Sequence, residues 1–344
     1  MSVVSHVISS VRPGWAVPGA RVTVEGAYLP VPADGPPHVL VGGLDAHVVA
    51  ASHRSLRIVV PPEAEGGTSA IRIDELPGES AFVEVARSVS TGLHQVDSPA
   101  FDGRGRLWMT FSGGRGTKAP VPLFRIGRDG TREPFAVELG NPTSLALGPD
   151  GAMYVSSRFE GHVYRVSPDD QVEVFATELG VPTGLAFAPD GALFVGDRSG
   201  SILRVSPDRR VETFASLPAS VAAFHLAMGP KSTLYVSAPT LATHDAIYRV
   251  TPDRLVDVVT DRLGRPQGLA FDRLGTLYVV DALAGAAGLY RVDYNRPDAA
   301  PELLLSAPSL VGVAFDPDGG VVLASNDTVW RLNAPMKPWV TVLD

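Results

Sequence analysis

PTGLAFAPDGALFVGDRSGSILRVSPD, residues 182–208, reads as three short strands separated by two turns. About forty residues earlier stands PTSLALGPDGAMYVSSRFEGHVYRVSPD (142–169), and further on PQGLAFDRLGTLYVVDALAGAAGLYRV (266–292). An Arg between an aromatic or aliphatic residue and another aliphatic counts the repeats. It occurs as Phe124-Arg125-Ile126, Tyr164-Arg165-Val166, Leu203-Arg204-Val205, Tyr248-Arg249-Val250, Tyr290-Arg291-Val292 and Trp330-Arg331-Leu332. The Arg-to-Arg steps are 40, 39, 45, 42 and 40 residues, so the chain holds six units with a period near forty. Each unit offers four strand-like segments, in the third GLAFA, ALFVG, SILRV and VETFA, separated by Pro-Asp-Gly or Ser-Pro-Asp turns. Four strands in each of six units describe an all-β, six-bladed β-propeller over residues 92–344. An Arg present in every unit reads as architecture, paired with turn carboxylates or packed between blades, and not as a functional ring of charge.

Composition narrows the function classes. The 344 residues are 45% hydrophobic, enough for a real core, with no apolar run long enough to span a membrane as a helix. The first residues lack a basic stretch followed by an apolar one, so no signal peptide is read and a cytoplasmic location is expected. With no Cys, disulfides, thiolate zinc sites and cysteine nucleophiles are excluded. A net charge of −8 argues against a nucleic-acid partner. The 30 Pro and 35 Gly are spread along the chain, as many tight turns require.

Residues 1–88 do not repeat. ISSVRPGWAVPGARVTVEGAYLP, PHVLVGGLDAHVVAAS, LRIVVPP and SAIRIDE alternate as strands of a small, separate β-sandwich. The run from a Pro-Gly turn through RVTVEG to VLVGG and IVVPP resembles an immunoglobulin-like IPT/TIG domain, which implies a spacer or a protein-binding module. The last repeat offers its own outer strand, WVTVL (339–343), so closure of the ring by strand exchange is not required, although AFVEVARSV (81–89) could also reach across.

Familiar catalytic motifs are missing. SGGRGTKAP (112–120) lacks the Gly-Lys-Ser/Thr ending of a phosphate loop and reads as a long loop between strands. There is no G-x-S-x-G elbow and no H-E-x-x-H. Function is therefore sought where the repeats disagree. Just before the innermost strands stand Asp97, Thr143, Thr183, Phe224, Gln267 and Val311, followed by Ser98, Ser144, Gly184, His225, Gly268 and Gly312. Asp97 and His225 are the ionisable members and the candidate catalytic pair. They are expected to face one cavity from opposite sides of the channel, with a gap that suits water, a metal ion or substrate. The second strands end at Phe111, Ser157, Asp197, Ala238, Asp281 and Ser325, and the following loops add Arg115, Lys118, Arg158, Arg198, His244 and Asn326. Arg158 and Arg198 occupy equivalent places in adjacent units. Two guanidinium groups there suit a carboxylate or phosphate, or equally a balance of Asp197 and Glu160. With Gln267, Thr143, Thr183 and His244 they make up the candidate substrate-binding set.

SPAFDGRGRLWMT (98–110), PTGLAFAPDGALFVGD (182–197) and PQGLAFDRLGTLYVVD (266–281) resemble the gluconolactonase/regucalcin-like family and, more loosely, NHL-repeat propellers. The resemblance covers residues 90–344 and implies a hydrolase of lactone or ester type. It also implies a divalent metal held by a Glu, two Asn and an Asp. The Glu position matches Asp97, but the others fall on Thr183, Phe224 and Gln267, so the quartet is not reproduced. A different Ca, Mg or Zn site would draw on Asp97, Asp197 and Asp281. Three readings stand: a hydrolase, a non-catalytic propeller binding a small polar or anionic ligand, and a lyase with a His base.

Overall fold

The computed structural model describes residues 7–283 and 285–332, and the protein is all-β with a propeller arrangement. Five separate four-stranded antiparallel sheets form among the described residues. The third unit is typical, with strands Pro182–Phe187, Leu193–Asp197, Ser201–Val205 and Val211–Ser216. Its second strand is buried throughout because neighbouring units cover both faces, whereas its outer strand is largely exposed. Four more strands, Pro266–Phe271, Leu277–Asp281, Gly288–Val292 and Glu302–Ser306, pair in the same way but continue into a twelve-stranded sheet.

The first strands of the repeats, from Ala100–Phe101 round to Leu310–Phe315, touch one another in chain order, and the last touches the first. Aromatic side chains fill the spaces between units. Tyr154 stacks edge-on against Phe187 of the next unit at 4.7 Å, and Tyr235 against Phe271 at 4.9 Å. Tyr278 packs on Phe315 at 5.0 Å. Each such pair contributes about 0.5–1.5 kcal/mol beyond the area it buries.

The repeated Arg residues are architectural, as their recurrence implies. Arg165 reaches Asp150 at 2.7 Å in its own first turn and Glu173 at 3.5 Å on the outer strand. Arg204 repeats this with Asp190 at 2.7 Å and Glu212 at 3.6 Å. Arg125 pairs with Glu133 and with Asp170 of the next unit, and Arg249, Arg291 and Arg331 pair with Asp257, Glu302 and Asp316.

Closure differs from the expectation. The outer strand beside Val329–Arg331 is Arg87–Ser90, which pairs antiparallel with it, so a segment preceding the first repeat completes the last sheet. That segment is the AFVEVARSV stretch; WVTVL lies outside the described residues. A covalent ring cannot be closed by a linear chain, and exchanging one strand ties its two ends by hydrogen bonds instead.

The N-terminal region is not a separate body either. Leu44–Ser52 pairs through its start with Val39–Val41 and through His47 onward with Ser55–Val59, joining two groups of strands. The two-residue strand Trp15–Ala16 then pairs in parallel with Ala81–Val85 on one side and Glu302–Ser306 on the other. Val22, Ile58 and Ile71 consequently share one apolar core with Tyr278, Leu305 and Leu323. Two short, half-buried β-edges gain more from pairing with each other than from facing water.

Differential scanning calorimetry of the whole chain is expected to give one cooperative transition. Leu305→Ala removes a side chain with 0% exposure from the shared core and is expected to lower stability by about 2–5 kcal/mol. Two resolved transitions, only one of them moved by Leu305→Ala, would count against the shared core. On the surface, His38 bonds Asp74 at 2.6 Å and Asp45 at 2.8 Å. The Asp74 bond, then that of Asp45, raises its pKa above the ordinary 6.5. Protonation is therefore favoured by folding: its contribution is complete below the ordinary histidine range and is lost as pH rises through the raised folded value. An NMR titration should place His38 above 6.5, and Asp74→Asn should bring it back toward that value.

Candidate functional site: a buried axis and a cationic rim

Neighbouring first strands touch without forming a ladder between them, so their backbone groups need other partners. Short polar side chains supply them. Ser144 Oγ accepts the Leu185 N–H at 3.2 Å, Thr183 Oγ1 accepts that of Phe224 at 2.9 Å, and Ser98 Oγ accepts that of Val313 at 3.2 Å. Ser237 Oγ donates to the Gln267 carbonyl at 2.6 Å. Thr183 also donates to the Gly196 carbonyl, and Thr143 to that of Asn141. Thr143 and Thr183, expected to face ligand, are both buried; Thr183 ties neighbouring strands, whereas Thr143 bonds the carbonyl two residues before it. The approach is close: a Cβ on Gly312 would lie 2.3 Å from the Ser98 Cα.

Asp97, His225 and Gln267 meet at this axis. His225 Nδ1 lies 2.6 Å from Asp97 Oδ1, and its Nε2 lies 3.2 Å from Gln267 Oε1. Asp97 Oδ1 also accepts the Ser98 N–H at 2.6 Å. His225 is 0% exposed, and Asp97 and Gln267 are buried with it. The expected gap between Asp97 and His225 is therefore closed by a direct hydrogen bond, because crowded first strands leave too little room for an intervening group. The carboxylate fixes the ring orientation. A neutral ring is satisfied when the Gln267 amide is turned so that its nitrogen donates to Nε2, an exchange that leaves heavy atoms in place.

The candidate metal ligands do not converge. Asp197 accepts the Val181 N–H at 2.8 Å and the Ser199 hydroxyl. Asp281 accepts N–H groups of Gly264 at 2.7 Å, Arg265 at 2.9 Å and Leu283 at 2.8 Å. Both lock the loop after their own strand to the segment entering their own unit. Among the described residues no three His, Asp or Glu side chains cluster as metal ligands, and Thr183 and Phe224 stand where the family places two of them. This donor set does not fit the divalent metal of gluconolactonases. His244 lies elsewhere, in a cleft of about 600 Å³ that it shares with Asp261, Arg262 and Asp281.

The second and third units present the most unusual electrostatics. Arg158 is half-buried; burial, together with Arg198 and Arg115, pulls its pKa below the ordinary value. No carboxylate pairs with Arg158, Arg198 or Arg115 among the described residues. Glu160 is committed instead to the Gly140 N–H at 3.0 Å, Ser157 at 2.9 Å, Tyr164 at 2.9 Å and Lys118 at 3.4 Å. Burial pushes Glu160 up, but these donors outweigh it and hold the carboxyl below its usual range. Burial and Glu160 push Tyr164 up to about 12. Asp197 is occupied as described above. The two guanidinium groups therefore do not balance Asp197 and Glu160.

Asn141, which the sequence reading passed over, assembles this rim. Its side chain accepts the Gly116 N–H and donates to the carbonyls of Ser112 and Gly114, fastening the loop that carries Arg115. Its carbonyl accepts the Arg158 N–H at 3.4 Å, as that of Val181 accepts the Arg198 N–H at 3.2 Å. The signal was the Asn141/Val181/Arg265 mismatch one residue before each Pro of the repeat. His94 was also missed. It bridges to Phe111, and burial and then Arg158 lower its pKa. Beside it, the amide of Gln95 and the hydroxyls of Thr110 and Ser112 are buried without a protein partner. Such groups are ordinarily met by ordered water or by a ligand.

His225→Ala would leave Asp97 buried without its partner and is expected to cost about 3–5 kcal/mol, read as a lowered denaturant midpoint. A loss below about 1 kcal/mol would show that the pair does not hold the axis together.

No protein-family model and no curated protein sequence matches the chain. Solved structures do resemble it. An auxiliary nutrient binding protein from Bacteroides ovatus matches with TM-score 0.53 and 15% identity, over 97% of this chain and 99% of its own. A gluconolactonase from Xanthomonas campestris gives 0.57 and 17%, over 72% and 89%. Virginiamycin B lyase from Staphylococcus aureus gives 0.53 and 14%, over 72% and 98%. At these identities the likeness is one of fold: a β-propeller shared by gluconolactonase-like and lyase proteins.

Proposed function

We propose that this chain is a six-bladed propeller preceded by an IPT/TIG-like sandwich, and that its cationic rim binds a small anionic ligand. The blade count rests on the unbroken ring of first strands, with Glu302–Ser306 as the outer strand of a fifth blade extended by the N-terminal sheet. One observation carries the binding reading: Arg158 is half-buried beside other cations, without a carboxylate among the described residues. Taking a guanidinium out of water costs several kcal/mol unless a counter-ion replaces its hydration, and a ligand oxyanion would supply one. The match along the whole chain to a nutrient binding protein points the same way, by analogy of fold.

A hydrolase of lactones or esters, or a lyase, is the second reading, favoured by the 2.6 Å Asp97–His225 bond. Asp97 would hold the ring while Nε2 took a proton from water or from a substrate carbon. That role requires Gln267 to move aside, since its Oε1 covers Nε2 at 3.2 Å.

Isothermal titration at low salt is expected to show binding of small oxyanions that weakens as salt rises, with Arg158→Ala reducing affinity about tenfold or more. Absence of oxyanion binding defeats the first reading. Lactone turnover that survives Arg158→Ala but not His225→Gln would establish the second.

A further inference from the structure

The rim is not uniformly polar, and its apolar members narrow the ligand further, given the anion-binding reading above. Phe159 follows Arg158 directly and is 58% exposed. Its ring lies over the loop carrying Arg115: a Cβ on Gly116 would come within 3.1 Å of it. Gly116 has φ +72°, so a glycine there serves both the turn and the ring. Val181 is 38% exposed, and its carbonyl accepts the Arg198 N–H. Exposed apolar residues thus accompany the cationic stretch: Phe159 lies against the Arg115 loop and next to Arg158 in the chain, and Val181 is joined through its carbonyl to Arg198. A single exposed apolar residue is ordinary. An exposed phenyl ring beside a half-buried guanidinium that meets no carboxylate among the described residues is less ordinary, because it sets an apolar surface next to a charge without a counter-ion.

We propose that the ligand is an amphiphilic carboxylate. Its oxyanion is held by Arg158 with help from Arg115 and Arg198, and its apolar body lies on Phe159 and Val181. Compact hydrophilic anions satisfy the charges but leave the ring wet, so they bind more weakly. A neutral molecule with the same apolar body leaves the guanidinium groups unpaired.

The test is isothermal titration of the full chain at fixed low ionic strength with octanoate, phenylacetate, acetate, inorganic phosphate and octan-1-ol. Octanoate and phenylacetate are expected to bind about tenfold tighter than acetate or phosphate, as partial burial of one aromatic side chain allows. Octan-1-ol should bind weakly. Phe159→Ala should erase the preference for octanoate and phenylacetate over acetate and phosphate, and Arg158→Ala should weaken all the anions. Equal affinity for acetate, phosphate and octanoate overturns the proposal while leaving anion binding intact, as does a preference that survives Phe159→Ala. Octanol binding as tightly as octanoate, or octanoate binding indifferent to Arg158→Ala, shows a merely greasy surface and also overturns it. If no anion binds, both this proposal and the reading beneath it fall.

Discussion

First strands that meet at an axis without hydrogen-bonding to one another create the constraint on which the rest of this molecule depends. Every strand elsewhere in a unit has a ladder partner on at least one side within its own sheet. At the axis, strands from different units press together, and their free N–H and C=O groups point into a space too narrow for bulk water. Leaving such groups unpaired costs about 1–3 kcal/mol each. The hydroxyls of Ser98, Ser144, Thr183 and Ser237 remove that cost one unit at a time. The Asp97–His225–Gln267 network joins the first, fourth and fifth units through side chains, and Asp97 also accepts the Ser98 N–H. Variation between repeats at these positions therefore has a structural cause. Each junction between units has its own spacing and its own backbone groups to satisfy, and a site is not needed to explain the differences.

Ring closure follows from the same constraint. First strands can stay pressed together only if the circle cannot open, and the exchanged strand Arg87–Ser90 keeps it shut. Its approach from the N-terminal strands brings them against the fifth and sixth units, where Trp15–Ala16 extends one sheet and the cores merge. The N-terminal region thus contributes to the stability of the ring at the two units nearest its seam.

The repeat period was legible because it is written in local chemistry: a tight turn, a buried strand and an Arg that pairs with a carboxylate. In three units the Arg pairs with a turn Asp about fifteen positions back, as Arg165 does with Asp150, and in the others it pairs with a carboxylate of the outer strand or of the next unit. The closing strand was less legible. Two segments had suitable patterns, and only long-range packing chooses between them. Asp97 and His225 were recognisable as special, but their separation was not, since pattern gives the facing of a side chain and not the width of the space it faces. Asn141 was overlooked for a similar reason. Its three bonds to the 112–116 loop link distant residues, and nothing in NPTSL alone announces them.

Arginine separates scaffold from site in this protein more sharply than the residues at the axis do. The six repeated arginines each have a carboxylate, are set in regular strands and recur once per unit. Exposed or partly exposed pairs of that kind contribute little singly, about 0–1 kcal/mol, so their regularity reflects positioning more than stability. Arg115, Arg158 and Arg198 break each of those habits. They belong to loops, occur in one arc only, and lie near Glu160 and Asp197 without pairing with them. A scaffold under no other demand would turn one of those carboxylates toward the half-buried Arg158. Instead both are tied to backbone N–H groups and hydroxyls, which leaves the half-buried Arg158 without a carboxylate among the described residues. On the proposed reading an anion from outside would supply the missing counter-charge, and for that reason the rim, more than the buried Asp97–His225 pair, is where that reading looks for a ligand.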